Sequence, residues 1–169
     1  MCEIVLTQEK VAIVDDEDYT WAARNRWFAH RDHRSHSAFY AYRTDRSSGK
    51  VQTIILHRVI IGAKFGEVVD HINGDTLDCR RSNLRVCQPG QNRANSRKYS
   101  GSSRFKGVAW NKSKKKWAAR IRHKRKCWNL GAFDNPEDAA RAYDEKAAEL
   151  HGPYALTNKD LGLIDGDDR

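Results

Sequence analysis

Val68-Val69-Asp70-His71-Ile72-Asn73-Gly74-Asp75 puts two strand-forming valines ahead of a carboxylate and an imidazole, and follows them with an Asn-Gly turn. Downstream, Arg80-Arg81-Ser82-Asn83-Leu84-Arg85-Val86 reads as a second short strand opened by an asparagine. Pro89-Gly90-Gln91-Asn92-Arg93-Ala94-Asn95 reads as the opening of a helix. Strand, loop, strand and helix make a ββα unit whose polar side chains can converge on one point.

Asp70-His71, Asn83 and Asn92 in this order resemble the H-N-N variant of the HNH ββα-metal nucleases, and in particular the phage intron-encoded homing endonucleases. Leu56-His57-Arg58 is similar to the His-Arg that opens the helix before that motif, so the likeness spans residues 55–97. The family often has Asn where Cys79 stands, a position read as loop-forming. The resemblance and the chemistry of phosphodiester hydrolysis imply the same roles. His71 is the general base, because an imidazole titrates near working pH. Asp70 and the Asn92 side-chain oxygen are hard ligands that suit Mg²⁺ or Mn²⁺. Asn83 joins the catalytic set by bonding the backbone or His71 and orienting the imidazole. Asn95 and His57 are additional candidates, and Arg85 and Arg93 are read as DNA contacts.

Upstream, Val11-Ala12-Ile13-Val14, Trp27-Phe28-Ala29, Ala38-Phe39-Tyr40-Ala41-Tyr42 and Val51-Gln52-Thr53-Ile54-Ile55-Leu56 read as short strands. Asp15-Asp16-Glu17-Asp18 reads as a turn or helix start, and residues 57–65 as a short helix ending near Gly66. His30, His33 and His36 alternate with arginines, which fits a solvated hairpin tip better than a metal site.

Downstream, residues 98–103 have linker composition. Residues 104–133 read as three strands. In Lys116-Trp117-Ala118-Ala119-Arg120-Ile121-Arg122, strand alternation puts Trp117, Ala119 and Ile121 on one face and Lys116, Arg120 and Arg122 on the other. Asn135 can cap a helix that Pro136 begins, Ala139, Tyr143, Ala147 and Leu150 recur at helical spacing, and Gly152 can end it. Residues 157–169 read as an acidic, frayed tail.

The stretches Phe105-Lys106-Gly107-Val108, Lys116 to Arg122, Leu130-Gly131-Ala132-Phe133 and Glu137 to Asp144 resemble the plant APETALA-type (ethylene-response-factor) DNA-binding domain over residues 104–156. That resemblance implies DNA contacts from the outward residues of the sheet, here Lys106, Trp110, Lys116, Arg120, Arg122 and Asn129. Several base-reading arginines of the plant domains are not reproduced, since Ala109 follows Gly107-Val108, so no target sequence carries over.

The balance of charge agrees. The 169 residues carry a formal charge of +9, and residues 97–126 hold 13 Lys or Arg with no Asp or Glu. Such a stripe fits a polyanionic partner. No apolar run approaches the roughly 18 residues of a membrane span. Met1-Cys2-Glu3-Ile4-Val5-Leu6 lacks the form of a signal peptide, so a cytoplasmic protein is expected. Cys2, Cys79, Cys87 and Cys127 are scattered without a C-x-x-C pair, so no structural zinc is expected.

The expectation is therefore an α+β chain. A β-rich N-terminal segment leads into a ββα-metal nuclease unit within residues 1–97, and a three-stranded antiparallel sheet packs on one C-terminal helix in residues 104–156. Its activity is that of a site-directed, Mg²⁺- or Mn²⁺-dependent endonuclease on double-stranded DNA, acting as a monomer or weak dimer. Two other readings are a DNA-binding regulator with a vestigial nuclease fold and an RNA-directed basic protein. RNA readers display aromatics for stacking, whereas Trp117 and Trp128 have core-facing parity.

Overall fold

The computed structural model describes residues 1–32, 38–47, 49–96 and 101–165. His33 and His36, the first half of the linker expected at 98–103 and the last four residues lie outside the described residues. The chain is mixed α and β, with small antiparallel sheets in two compact units, Met1–Gln88 and Pro89–Arg169.

In the first unit, β1 (Cys2–Val5) pairs antiparallel with β2 (Val11–Val14). The acidic turn after β2 continues as α1 (Asp16–Ala22). Next, β3 (Phe28–Arg31), β4 (Phe39–Asp45) and β5 (Gln52–Ile55) form an antiparallel sheet in the order β3-β4-β5. Helix α2 (Leu56–Ile61) follows directly, and β6 (Val68–His71) pairs with β7 (Leu84–Cys87). The core gathers Val14, Ala22, Trp27, Ala41, Leu56, Ile60, Cys79 and Leu84, so the N-terminal strands and α2 close over one side of the β6–β7 hairpin.

One local reading is corrected, and one strand is added. Helix α2 stops at Ile61 rather than near Gly66, because Gly62 adopts a left-handed φ of 67° and Ala63 N–H bonds the Arg58 carbonyl at 2.9 Å. Cys2–Val5 forms a strand that its short mixed sequence does not announce; the register Cys2↔Val14 to Val5↔Val11 supplies it.

In the second unit, α3 (Pro89–Ala94) precedes β8 (Val108–Asn111), β9 (Lys116–His123) and β10 (Lys126–Phe133), arranged β10-β9-β8. Helix α4 (Pro136–His151) starts where Asn135 Oδ1 accepts Glu137 N–H at 2.9 Å and ends at Gly152. Val108, Ala119 and Ile121 bury against Ala139, Ala140, Tyr143 and Ala147 of this helix. The stretch read as a frayed tail is packed as far as it is described. Asn158 is fully buried, bonded to Asp144 and to the Lys106 backbone, because its amide satisfies groups that the sheet and α4 leave open.

Candidate functional site

Asp70 and His71 end β6, buried at 4% and 5% exposure. The loop from Ile72 to Asn83 is closed on itself by side chains. Asn83 Oδ1 accepts Asn73 N–H at 2.9 Å, Asn83 Nδ2 donates to the Asp78 carbonyl at 2.7 Å, and Ile72 N–H donates to the Asn83 carbonyl at 2.9 Å. Asn73 Nδ2 reaches Asp78 Oδ2 at 2.9 Å, and Arg80 grips both Asp78 oxygens at 2.8 and 2.6 Å. Asn83 thus works on the loop backbone next to His71, and Gly74, with φ 77°, returns its N–H to the His71 carbonyl. Cys79 is fully buried, its N–H bonded to the Ile13 carbonyl at 2.8 Å.

The N-terminal segment, to which the sequence alone assigns no role, holds this loop from outside. Asp15 accepts the Arg81 N–H at 2.8 Å, and the 2%-exposed Asp18 accepts two bonds from the Arg81 guanidinium, each 2.8 Å.

Two aromatic side chains stand beside His71. His57, at the start of α2, meets it edge-to-face with ring centroids 4.9 Å apart. Tyr40 of β4 lies 5.4 Å from His57 and 6.1 Å from His71. Tyr40 is the residue that sequence reasoning missed. Its signal was parity: Tyr40 and Tyr42 alternate with Phe39 and Ala41 in the aromatic run.

Burial pushes the His57 imidazole down to about 3, with the positive charges near it adding to the effect. It pushes His71 down to about 4, against the upward pull of Asp70, Asp75 and Asp78. Both rings are therefore neutral at neutral pH. In the unfolded chain each takes up a proton near 6.5, whereas the folded chain resists until about 4 and 3, so stability falls as pH drops from 6.5 toward 4. With two such groups the slope approaches roughly 2.7 kcal/mol per pH unit at its steepest. Urea midpoints of the first unit measured from pH 7 to 4.5 are expected to fall steeply, and a His57→Leu chain to fall about half as steeply. Midpoints level with pH would contradict the buried neutral pair.

Arg85 is corrected. Expected on DNA, it stands opposite Asp70 in the β6–β7 register and donates Nε to Asp70 Oδ2 at 2.8 Å, with a second guanidinium nitrogen at 2.7 Å. An inward position across from a buried carboxylate explains this, since a buried charge demands a partner. Asn92 and Arg93 lie on α3 in the second unit, with Asn92 half-buried, Arg93 exposed and Asn95 buried just beyond the helix. Among the described residues no three His, Cys, Asp or Glu side chains gather as a metal-binding group.

On the sheet of the second unit, Arg120 and Arg122 are exposed, and Asn129 is paired with Arg120 on the same face. Lys116 shares that face by alternation and forms an exposed pair with Asp134 at 3.1 Å. Trp110 stands opposite Trp117, rings 5.1 Å apart, on the side of Val108 and Ala119 rather than the arginine side. Lys106 is turned inward. It is 9% exposed, and its ammonium is spent on two backbone carbonyls.

Residues 55–94 match the model of an HNH endonuclease family, and residues 103–153 match the AP2 domain. Protein 3.8 of Escherichia phage T7 is 33% identical over 91 residues, which cover 53% of this chain and 74% of that protein. Ethylene-responsive transcription factor 3 of Nicotiana tabacum is 51% identical over 61 residues, 32% of this chain and 25% of that protein. An ethylene-responsive transcription factor of Arabidopsis thaliana is 35% identical over 100 residues, 54% of this chain and 58% of its own length. Among the described residues no helix is long and apolar enough to cross a membrane.

Proposed function

The chain belongs to one family with protein 3.8 of Escherichia phage T7 and carries an HNH endonuclease module and an AP2 module, and from that premise we propose that it is a site-directed, divalent-metal-dependent endonuclease acting on double-stranded DNA. The observation that carries this reading is a neutral, buried His71 adjoining Asp70 at the end of β6, with the following loop closed by Asn83. An imidazole already unprotonated at neutral pH can accept a proton from the attacking water, and its place between His57 and Tyr40 limits the ring to few orientations.

Asp70 and the Asn92 amide oxygen are the residues that would hold the ion, and a carboxylate with an amide oxygen is a hard donor set suited to Mg²⁺ or Mn²⁺. When bound, such an ion supplies charge stabilisation at the scissile phosphate and the departing oxygen. Arg85 fixes the orientation of the Asp70 carboxylate from the facing strand. In the second unit, Arg120, Arg122 and Asn129 form the face offered to the duplex, where a sheet can enter the major groove and guanidinium or amide groups can meet phosphates or base edges. One active site per chain implies that a monomer nicks one strand.

One observation favours a second reading, a DNA-binding regulator that does not cut. Arg85 places a cation on the carboxylate that a metal would need. Supercoiled plasmid incubated with the full chain and Mg²⁺, with and without chelator, separates the two. The nuclease reading expects open-circular product that chelator abolishes; plasmid that is bound and gel-shifted but never relaxed overturns it.

A further inference from the structure

Lys106 is a buried cation of the second unit that the nuclease reading does not use. Its Nζ donates to the Ala94 carbonyl at 2.5 Å and to the Leu156 carbonyl at 2.9 Å. Ala94 is the last residue of α3, where carbonyls lack intrahelical partners and a positive charge is favourable. Leu156 N–H also turns to the Ala94 carbonyl, at 3.4 Å. The backbone of Lys106 is pinned in turn. Its N–H donates to Asn158 Oδ1 at 2.6 Å, Asn158 Nδ2 returns to the Lys106 carbonyl at 3.2 Å, and the same Nδ2 reaches Asp144 of α4 at 2.8 Å.

The next residue carries the connection into the sheet. The Gly107 carbonyl accepts the Arg120 N–H at 2.9 Å, so Lys106-Gly107 sits against β9 where Arg120 and Arg122 project. A cleft lined by Arg93, Ala94, Lys106, Arg120 and Arg122 lies between α3 and this strand. A surface lysine reaching for phosphate would extend into solvent; this one is folded back onto a helix end. Burial lowers its amine to about 8, which still leaves it largely charged at neutral pH.

We propose that Lys106 is a positioning residue, fixing α3, the helix that carries Asn92, to the sheet that reads DNA, so that helix and reading face move as one piece. This rests on the reading of Asn92 as a residue of the metal site. The consequence is that the backbone bearing Asn92 keeps a fixed place relative to the face that carries Arg120 and Arg122.

The test compares Lys106→Met, Lys106→Arg and Asn92→Ala in the full chain. It follows three readouts: single-turnover nicking, affinity for a short duplex, and hydrogen exchange of the α3 and β9 amides. Lys106→Met is expected to lower the nicking rate about tenfold or more, since small displacements of a reacting group are costly. Affinity is expected to stay within about threefold, and α3 to lose protection, including the Asn95 N–H that bonds the Gln91 carbonyl at 3.2 Å. The β9 amides keep theirs, and Lys106→Arg, which retains a cation, recovers most of the rate.

Nicking at the wild-type rate in Lys106→Met overturns the proposal. So does a loss of affinity with an unchanged rate at saturation, which makes Lys106 a DNA contact. Loss of β9 protection also overturns it, by making Lys106 a residue of general stability. Asn92→Ala that nicks like wild type shows instead that the underlying reading of α3 has failed, whatever Lys106 does.

Discussion

His71→Ala is expected to lower plasmid nicking by about 10²- to 10⁴-fold, the range a positioned general base contributes, while leaving duplex affinity unchanged. The argument is geometric before it is electrostatic. His71 ends β6 at a point that the Asn83 bonds and the Gly74 turn hold in place, and its ring is walled by His57 and Tyr40. Burial keeps it unprotonated, down to about 4, so at neutral pH nearly every molecule carries the base in its working form. His57, although an imidazole 4.9 Å away, is more deeply depressed, to about 3, and belongs to the start of α2 rather than to the hairpin. It is a weaker base and is not expected to substitute. Truncation also removes a buried ring, at a stability cost of about 1–3 kcal/mol, so the melting temperature is measured alongside. Imidazole added to the buffer should return part of the lost rate. A folded His71→Ala chain that nicks as fast as wild type would remove His71 from the mechanism.

What could be read in advance followed from local rules, and what could not came from pairing across sequence. Asp70-His71 after two valines announced a strand end bearing chemistry, and Asn135-Pro136 announced the start of α4, because both signals lie within a few neighbouring residues. Arg85 looked like a DNA contact because an arginine in a basic chain is expected outside. Its place opposite Asp70 depends on the β6–β7 register, which no local pattern states. The facing of Lys106 and Trp110 was illegible for the same reason. Counting alternation from Val108, which is buried against Ala119, puts Trp110 on the helix side, but that count needs one position of known facing to start from. The N-terminal carboxylates show the other limit. Asp15 and Asp18 read as a turn signal, yet their partner is Arg81, 63 residues beyond Asp18. The site was thus legible as a list of chemical groups and illegible as a set of contacts.

Gly107→Ala is expected to unfold the second unit at temperatures where the first remains intact. Gly107 has φ +76°, a backbone region in which a non-glycine residue costs about 1–3 kcal/mol. A Cβ built there would lie 1.8 Å from Tyr143 Cδ2 and 2.3 Å from Cε2. Tyr143 cannot step aside freely, because it is 7% exposed and packed with Ile121 and Ala147 under the sheet. Forcing an extra carbon into such a site costs about another 1–3 kcal/mol or more. Together these approach the whole stability of a small module, about 5 kcal/mol at the low end of the usual range. At about 4–8 °C per kcal/mol for a module of this size, the melting point should fall by about 8 °C at the least. The reading face falls with it, since the Gly107 carbonyl supports the Arg120 N–H at 2.9 Å. Duplex binding should therefore vanish near 37 °C while the urea midpoint of the first unit stays put, because its core shares no residue with the α4 clusters. Gly90→Ala supplies the comparison: a Cβ there meets nothing within 4 Å, so both transitions should hold. A Gly107→Ala chain that binds and melts like wild type would mean that Tyr143 is far less confined than its packing indicates.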